Sequence, residues 1–109
     1  QGLIKELLVE EEQRPGAVLD HAFIREHTTG FDTLRAHVRG IAWSDIVAHS
    51  GLSREQIAAA AQIMREAKSA IVCWAMGLTQ HRQAVGTIQE IVNCLLLRGN
   101  IGRPGAGLC

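Results

Sequence analysis

The chain has 109 residues, enough for one small domain. Its eleven basic residues balance eleven acidic ones, which argues against a nucleic acid or an anionic membrane surface as partner, since either would require a basic face. The longest apolar runs fall short of the ~20 residues of a membrane span, and the first residues lack the pattern of a secretory signal. We therefore expect a globular domain with neither a nucleic acid nor a membrane as partner.

Three cysteines lie far apart in the chain, Cys73, Cys94 and Cys109. An odd number at wide spacing favours a reducing compartment over a disulfide framework, so we expect a cytoplasmic protein. No pair of Cys or His residues has the spacing of a structural zinc site or a Cys-ligated cluster. We predict no metal site within this chain, with Cys73 a buried small hydrophobe in a strand and Cys94 a structural residue in a helix.

The first half of the chain has the spacing of short amphipathic helices. Leu3, Ile4, Leu7 and Leu8 share one helical face and predict a helix over residues 2–13, ended by the sequence RPG. A second short helix is predicted with Asp20 near its start. Two more are predicted, one from Phe31 to Ile41 capped by Asp32 or Thr33, and one over residues 43–49 capped by Ser44.

The second half has a different order of elements. Ser53 and Gln56 have the spacing of a capping box and predict a helix over residues 53–67. Residues 70–75 (AIVCWA) form a continuous apolar run, which is typical of a strand buried in a parallel sheet. A loop at 76–81 and a long helix over 83–98, ended by Gly99, follow. This order predicts a mostly helical α/β fold with one clear strand, part of a doubly wound, Rossmann-like domain.

A single buried strand leaves its backbone hydrogen-bonding groups without partners. We therefore predict that further strands come from the remainder of a longer polypeptide or from self-association with a second copy. The chain does not begin with Met, and residues 99–109 form a glycine-rich stretch in which we predict no closing helix or strand. Both features also lead us to expect a piece of a longer protein.

Two segments are candidates for ligand binding. In open α/β sheets ligands lie beyond the carboxyl ends of the strands, which here is the segment 76–81. Gly77 would permit an unusual backbone angle or a close approach by a ligand, and Thr79 and Gln80 offer polar side chains. The alternative is an ordinary strand-to-helix turn. In the glycine-rich segment, Arg103 could pair with a phosphate, or the segment is a flexible connector.

The sequences WAMGLTQH (74–81) and TIQEIVNCLLLRGNIGRPGAGLC (87–109) resemble the molybdopterin oxidoreductase superfamily, in particular its formate dehydrogenase-like alpha subunits. The resemblance runs from about Gly51 to the end of the chain. It implies that residues 51–109 are the strand–loop–helix part of a molybdopterin-binding α/β domain. Residues 1–50 fit the family's helical insert region but carry no distinctive motif.

The resemblance also implies a cofactor. Such enzymes hold one molybdenum or tungsten atom between two pterin guanine dinucleotides. Whether the intact enzyme also has an iron–sulfur cluster elsewhere is left open. In related enzymes the Met and Gln of the Met-Gly-x-x-Gln-His loop contact the pterin. Here these are Met76 and Gln80, with Gly77 allowing the loop to approach. The family's metal-binding residue and iron–sulfur cysteines lie outside this chain, so we expect it to bind cofactor without a catalytic residue or a metal ligand.

Alternatives remain open at this stage. His81 either donates a hydrogen bond to cofactor or to a neighbouring carboxylate, or is satisfied by local backbone at a helix start. The whole chain could instead be a helical interaction or dimerisation module that binds no ligand. A Rossmann unit for an ordinary nucleotide is disfavoured because no G-x-G-x-x-G sequence follows the strand.

Overall fold

The computed structural model describes residues 1–109 and contains seven helices and two short strands. The strands are β1 Ile71–Val72 and β2 Gly107–Leu108. None of the helices has the length and apolar character that crossing a membrane requires. The helices are α1 Gly2–Gln13, α2 His21–His27, α3 Phe31–Gly40, α4 Trp43–Ser50, α5 Arg54–Glu66, α6 Met76–Thr79 and α7 Ala84–Leu97.

Helix α1 supplies much of the hydrophobic core, and the helix predicted over residues 2–13 is confirmed. It packs against α5 and α3, while α2 packs against α7. Removing these apolar side chains from water is the main force that holds the helices together. The core cluster has nine buried members, Ile4, Leu7, Leu8, Val18, Leu19, Ile24, Val38, Cys94 and Leu97.

Two helices begin at side-chain caps, one at Asp20, which was predicted to lie near a helix start, and one at the predicted capping box. The Asp20 carboxylate accepts a hydrogen bond from the backbone N–H of Phe23, so α2 begins directly after it. Ser53 and Gln56 form the predicted capping box at the start of α5, each side chain accepting from the other residue's backbone N–H. Both devices satisfy N–H groups that a helix start leaves free.

The predicted caps of α3 and α4 are wrong. Helix α3 begins after Gly30, whose φ of +78° turns the chain, so Asp32 and Thr33 lie inside the first turn. Helix α4 begins after Ala42, which places Ser44 within the helix. Short polar residues are common in first turns as well as at caps, so sequence spacing alone did not separate the two positions.

The strand at 70–75 is confirmed only in part. Its regular portion is β1, and β1 pairs in parallel with β2, with Ile71 opposite Gly107 and Val72 opposite Leu108. The prediction of a single strand and of no closing element in residues 99–109 is therefore wrong. The predicted burial is also wrong, since Ile71 is 58% exposed. The chain is mostly helical with a small parallel sheet, which does not by itself establish a Rossmann-like fold.

Polar contacts from the end of α7 fix the start of β1. The Arg98 guanidinium donates to the backbone carbonyls of Val18, Arg65 and Ala67, and so joins the end of α7 to the segment after α1 and to the end of α5. The Asn100 side chain, 1% exposed, accepts a hydrogen bond from the backbone N–H of Ala70. These bonds set where the chain enters β1 and hence where the segment after it begins.

Candidate functional site

The segment that follows β1 is helical, and the predicted loop at 76–81 is wrong in that respect. The backbone N–H groups of Leu78 and Thr79 donate to the carbonyl of Ala75, and that of Gln80 donates to Met76. These bonds make α6, and a further turn from His81 to Ala84 leads directly into α7. The residues therefore follow the carboxyl end of a parallel strand, as expected, but on a defined helical turn.

The candidate side chains in this segment lie at the surface. Met76 is 68% exposed, and Gly77, Thr79, Gln80 and His81 are also exposed. The Thr79 hydroxyl lies 3.5 Å from the carbonyl oxygen of Ala75, the limit of a weak hydrogen bond. The structure thus brings five of the predicted residues together on one short exposed segment, from Met76 to His81.

Neither the backbone angle nor the surrounding space at position 77 requires a glycine. Its φ is not positive, and a Cβ atom built on it would meet no other atom within 4 Å. The predicted unusual backbone angle is therefore wrong. The other expectation, that a residue without a side chain lets a ligand approach the backbone closely, is compatible with this open space.

Arg103 does not join this segment. Its guanidinium donates to the backbone carbonyl of Lys68 at 2.7 Å and to the side-chain oxygen of Asn100 at 2.6 Å. Lys68 and Arg103 precede β1 and β2 respectively, whereas Met76 and the residues after it follow β1. Because the two strands are parallel, Arg103 lies at their amino ends and the exposed segment at the carboxyl end.

Arg103 instead lines a polar cleft of about 620 Å³. Four cationic side chains line it (Arg65, Lys68, Arg98 and Arg103) against two acidic ones (Asp20 and Glu66). Burial lowers the pKa of Arg98, and the neighbouring Arg103 guanidinium lowers it further. The buried Nε of Arg98 has no hydrogen-bond partner. This excess of positive charge would favour an anionic group.

Sequence reasoning missed two of the residues that position these segments. Asn100 connects Ala70 and Arg103, which are respectively thirty and three positions away. Its position in the sequence Gly-Asn after a helix end was the available signal, but that signal indicates a turn rather than a buried contact. Arg98 was also overlooked, because its partners are backbone carbonyls that no side-chain motif reveals.

No group of three or more His, Cys, Asp or Glu side chains is arranged to hold a metal ion. Cys94 lies in α7, as predicted; it is 8% exposed, and burial raises the pKa of its thiol. Cys73 was predicted to be buried within a strand, but its thiol is exposed and the residue follows the end of β1. Cys109 is exposed as well.

Sequence comparisons relate almost the whole chain to known proteins, although no family model matches it. Protein YdeP of Escherichia coli K12 is 45% identical over 94% of this chain. The oxidoreductase Rv2900c of Mycobacterium tuberculosis H37Rv is 43% identical over 99% of it. The chain spans 14% of the length of each of these two relatives. The expected resemblance began near Gly51, whereas these matches also include most of the first fifty residues.

Formate dehydrogenase H of Escherichia coli K12 is 37% identical over 82% of this chain, which spans 12% of that enzyme's length. Similarity to named oxidoreductases at this level, sustained over most of the chain, agrees with the resemblance carried by residues 74–81 and 87–109. The chain is therefore a formate dehydrogenase-like sequence, homologous to a segment of these oxidoreductases.

Proposed function

We propose that the chain forms part of the binding shell of a molybdopterin guanine dinucleotide cofactor in an oxidoreductase related to formate dehydrogenase. One observation carries the proposal: a sequence 37% identical to formate dehydrogenase H presents the segment 76–81, with the exposed polar side chains of Thr79, Gln80 and His81, beyond the carboxyl end of a parallel strand. That position is where α/β sheets bind ligands.

The residues of the segment fit the chemistry of such a cofactor. Pterin and guanine rings carry both donors and acceptors, and the Gln80 amide and Thr79 hydroxyl can serve as either. The exposed Met76 side chain offers a soft apolar surface for the ring faces. The open space beside Gly77 leaves room for the cofactor to reach the backbone. When bound, the cofactor supplies the redox chemistry through its molybdenum or tungsten, while these residues bind and orient it.

His81 and Arg103 have separate roles in this proposal. His81 is exposed at the turn between α6 and α7, where its imidazole can donate to the cofactor. Arg103 contributes to the cationic cleft with Arg98 and Lys68, which suits a phosphate of the dinucleotide better than a ring. Because the cleft and the exposed segment lie at opposite ends of the strand pair, we assign Arg103 to a different part of the ligand.

No residue of this chain is proposed as a catalyst or metal ligand, and we place the redox centre in the remainder of the polypeptide. Formate as the substrate, and the cytoplasm as the location, are part of the proposal and rest on the relatives and the cysteine content. An iron–sulfur cluster, if the intact enzyme has one, would also lie outside this chain. We accordingly expect the 109-residue chain alone to bind no molybdenum. Tight stoichiometric molybdenum in the purified chain would contradict this division of roles.

A second candidate function, self-association, is favoured by one observation. Ile71 and Leu108, which belong to the two paired strands, are 58% and 48% exposed. Each strand has only one neighbour, so each also has an edge with free backbone groups. Pairing with further strands would satisfy these groups and cover the apolar side chains.

A chimera tests the cofactor proposal. The homologous segment of formate dehydrogenase H is replaced by this chain, and the purified protein is analysed for molybdenum and for released pterin. Gln80→Ala is expected to lower both by about tenfold, as a lost polar contact of 1–2 kcal/mol would. Gln89→Ala, at an exposed glutamine on α7, is the matched control and should retain both. Equal cofactor content in the two variants would exclude a role for Gln80.

A further inference from the structure

Two cysteines that are 36 positions apart in the sequence are neighbours across the strand pair. The register places Val72 opposite Leu108, so the next pair along the two strands is Cys73 and Cys109. Backbone hydrogen bonds confirm this continuation: Cys109 N–H donates to the carbonyl of Val72, and Trp74 N–H donates to the carbonyl of Cys109, both at 3.0 Å. Cys109 is thus hydrogen-bonded to both residues that flank Cys73 in the sequence, which places it directly opposite Cys73.

This register places the two cysteines within the Cα separation of a disulfide. Directly opposite residues of adjacent strands have side chains on the same face and lie about 4.8 Å apart. The Cα atoms of disulfide-linked cysteines lie about 4.4–6.8 Å apart. Both cysteines are exposed and both are free thiols in the structure, so small reagents can reach them. The third cysteine, Cys94, is buried in α7 and belongs to the hydrophobic core.

We propose that Cys73 and Cys109 form a dithiol that closes to an intramolecular disulfide by exchange with a low-molecular-weight disulfide of the glutathione class. One thiolate attacks the reagent, forming a mixed disulfide and releasing one reagent thiolate. The other cysteine, as thiolate, then attacks the protein sulfur of the mixed disulfide and displaces the second reagent thiolate. The two protein thiols lose two electrons and two protons, and the reagent disulfide is reduced to two thiols.

Closure would act on the segment that follows β1. Cys73 lies three positions before Met76, so a link to Cys109 would fasten β2 to the carboxyl end of β1, next to α6. The dithiol stands on the strand register alone and does not depend on cofactor binding.

Thiol titration and peptide mapping test the proposal on the full 109-residue chain. The native chain is equilibrated with oxidised and reduced glutathione and quenched with acid. Free thiols are then counted in denaturant, where the number should fall from three to one. Trypsin places the three cysteines on separate peptides, residues 69–82, 83–98 and 99–109. Mass spectrometry should find peptides 69–82 and 99–109 joined, and reduction with dithiothreitol should separate them.

Substitutions distinguish this pair from adventitious oxidation. Cys94→Ala should retain the link, whereas Cys73→Ser should abolish it and leave Cys109 carrying glutathione. Circular dichroism of each variant establishes that it is folded. Mixed disulfides at both positions without a link, a link between two chains, or a link that involves Cys94 would each overturn the proposal.

Discussion

The Nε2 atom of His21 lies 2.6 Å from the Oε1 atom of Glu11, and this contact closes the connection between α1 and α2. Glu11 is only 8% exposed, and its carboxylate also accepts hydrogen bonds from the backbone N–H groups of Gly16, Val18 and Leu19. A buried carboxylate with this many donors is stabilised in its charged form.

Acidification should destabilise the fold through Glu11. Burial alone would raise its pKa, but the bonds from Gly16, His21, Leu19 and Val18 outweigh burial and lower the pKa from 4.5 to about 2. The unfolded chain therefore takes up this proton before the folded chain does. The stabilisation is fully present above pH 4.5 and is lost as the pH falls through about 2. The expected loss is about 3 kcal/mol, measured by urea unfolding at a series of pH values.

Replacing the carboxylate tests the cause of this pH dependence. Glu11→Gln should reduce stability near neutral pH by about 2 kcal/mol and flatten the profile at acidic pH. Glu26→Gln, an exposed glutamate on α2, is the control and should leave the profile unchanged. A Glu11→Gln protein with the original acid transition would show that another group is responsible.

Gly99→Ala should destabilise the junction between α7 and α2. Gly99 has a φ of +60°, and a Cβ added there would lie 2.6 Å from a carboxylate oxygen of Asp20, the cap of α2. The strained backbone angle alone costs about 1 kcal/mol, and displacing Asp20 adds about 1 kcal/mol. Gly86→Ala within α7 is the control, because it has open space and should stabilise the helix by up to ~1 kcal/mol. Thermal unfolding compares the two variants, and equal effects would contradict this reading of Gly99.

Asn100→Ala should loosen the strand pair. The side chain is 1% exposed and connects the N–H of Ala70 with the Arg103 guanidinium, so its removal leaves the half-buried N–H of Ala70 without this partner. The expected cost is about 1 kcal/mol. Faster amide exchange is expected at Gly107 and Cys109, whose N–H groups donate to the carbonyls of Ala70 and Val72 respectively. Asn93→Ala on α7 is the matched control; exchange that accelerates equally in both variants would mean a general loss of stability.

Self-association of the isolated chain should depend on Ile71. We expect light scattering to show oligomers whose fraction rises with protein concentration, because strand edges and the exposed Ile71 are available for pairing. Ile71→Lys should shift the chain toward the monomer by introducing a charge at this edge. Ile63→Lys is the control, since Ile63 is also exposed but lies on α5. A wild-type chain that stays monomeric at all concentrations would remove the basis of this second function.

The sequence allowed the helices to be predicted much better than the sheet. Helix α5 has both a capping box and an apolar face, and these local signals nearly fix its bounds. Strand β2 has neither, since Gly107 and Leu108 are two residues in a glycine-rich stretch and their pairing partner lies 36 positions earlier. The exposure of Cys73 was missed for a related reason. A continuous apolar run indicates a strand buried on both faces, but that burial requires other elements packed against each face.

The predicted position of residues 76–81 after a parallel strand agrees with the structure, whereas the internal geometry of this segment was not predicted. The rule that ligands bind at carboxyl ends of strands selected residues 76–81, yet no local pattern in the sequence indicated that Met76–Thr79 would be helical. The separation of Arg103 from Gln80 follows from the parallel register. That register depends on a strand that the sequence did not reveal.

Amide exchange in the formate dehydrogenase H chimera tests the central claim most directly, by comparing cofactor-loaded with cofactor-free protein. If the segment after β1 contacts the cofactor, loading should slow amide exchange at residues 76–81 by about tenfold or more. Exchange in α5, which precedes β1 in the chain, should change little. Unchanged exchange at Met76 and Gln80 in a protein shown to contain molybdenum and pterin would contradict the account.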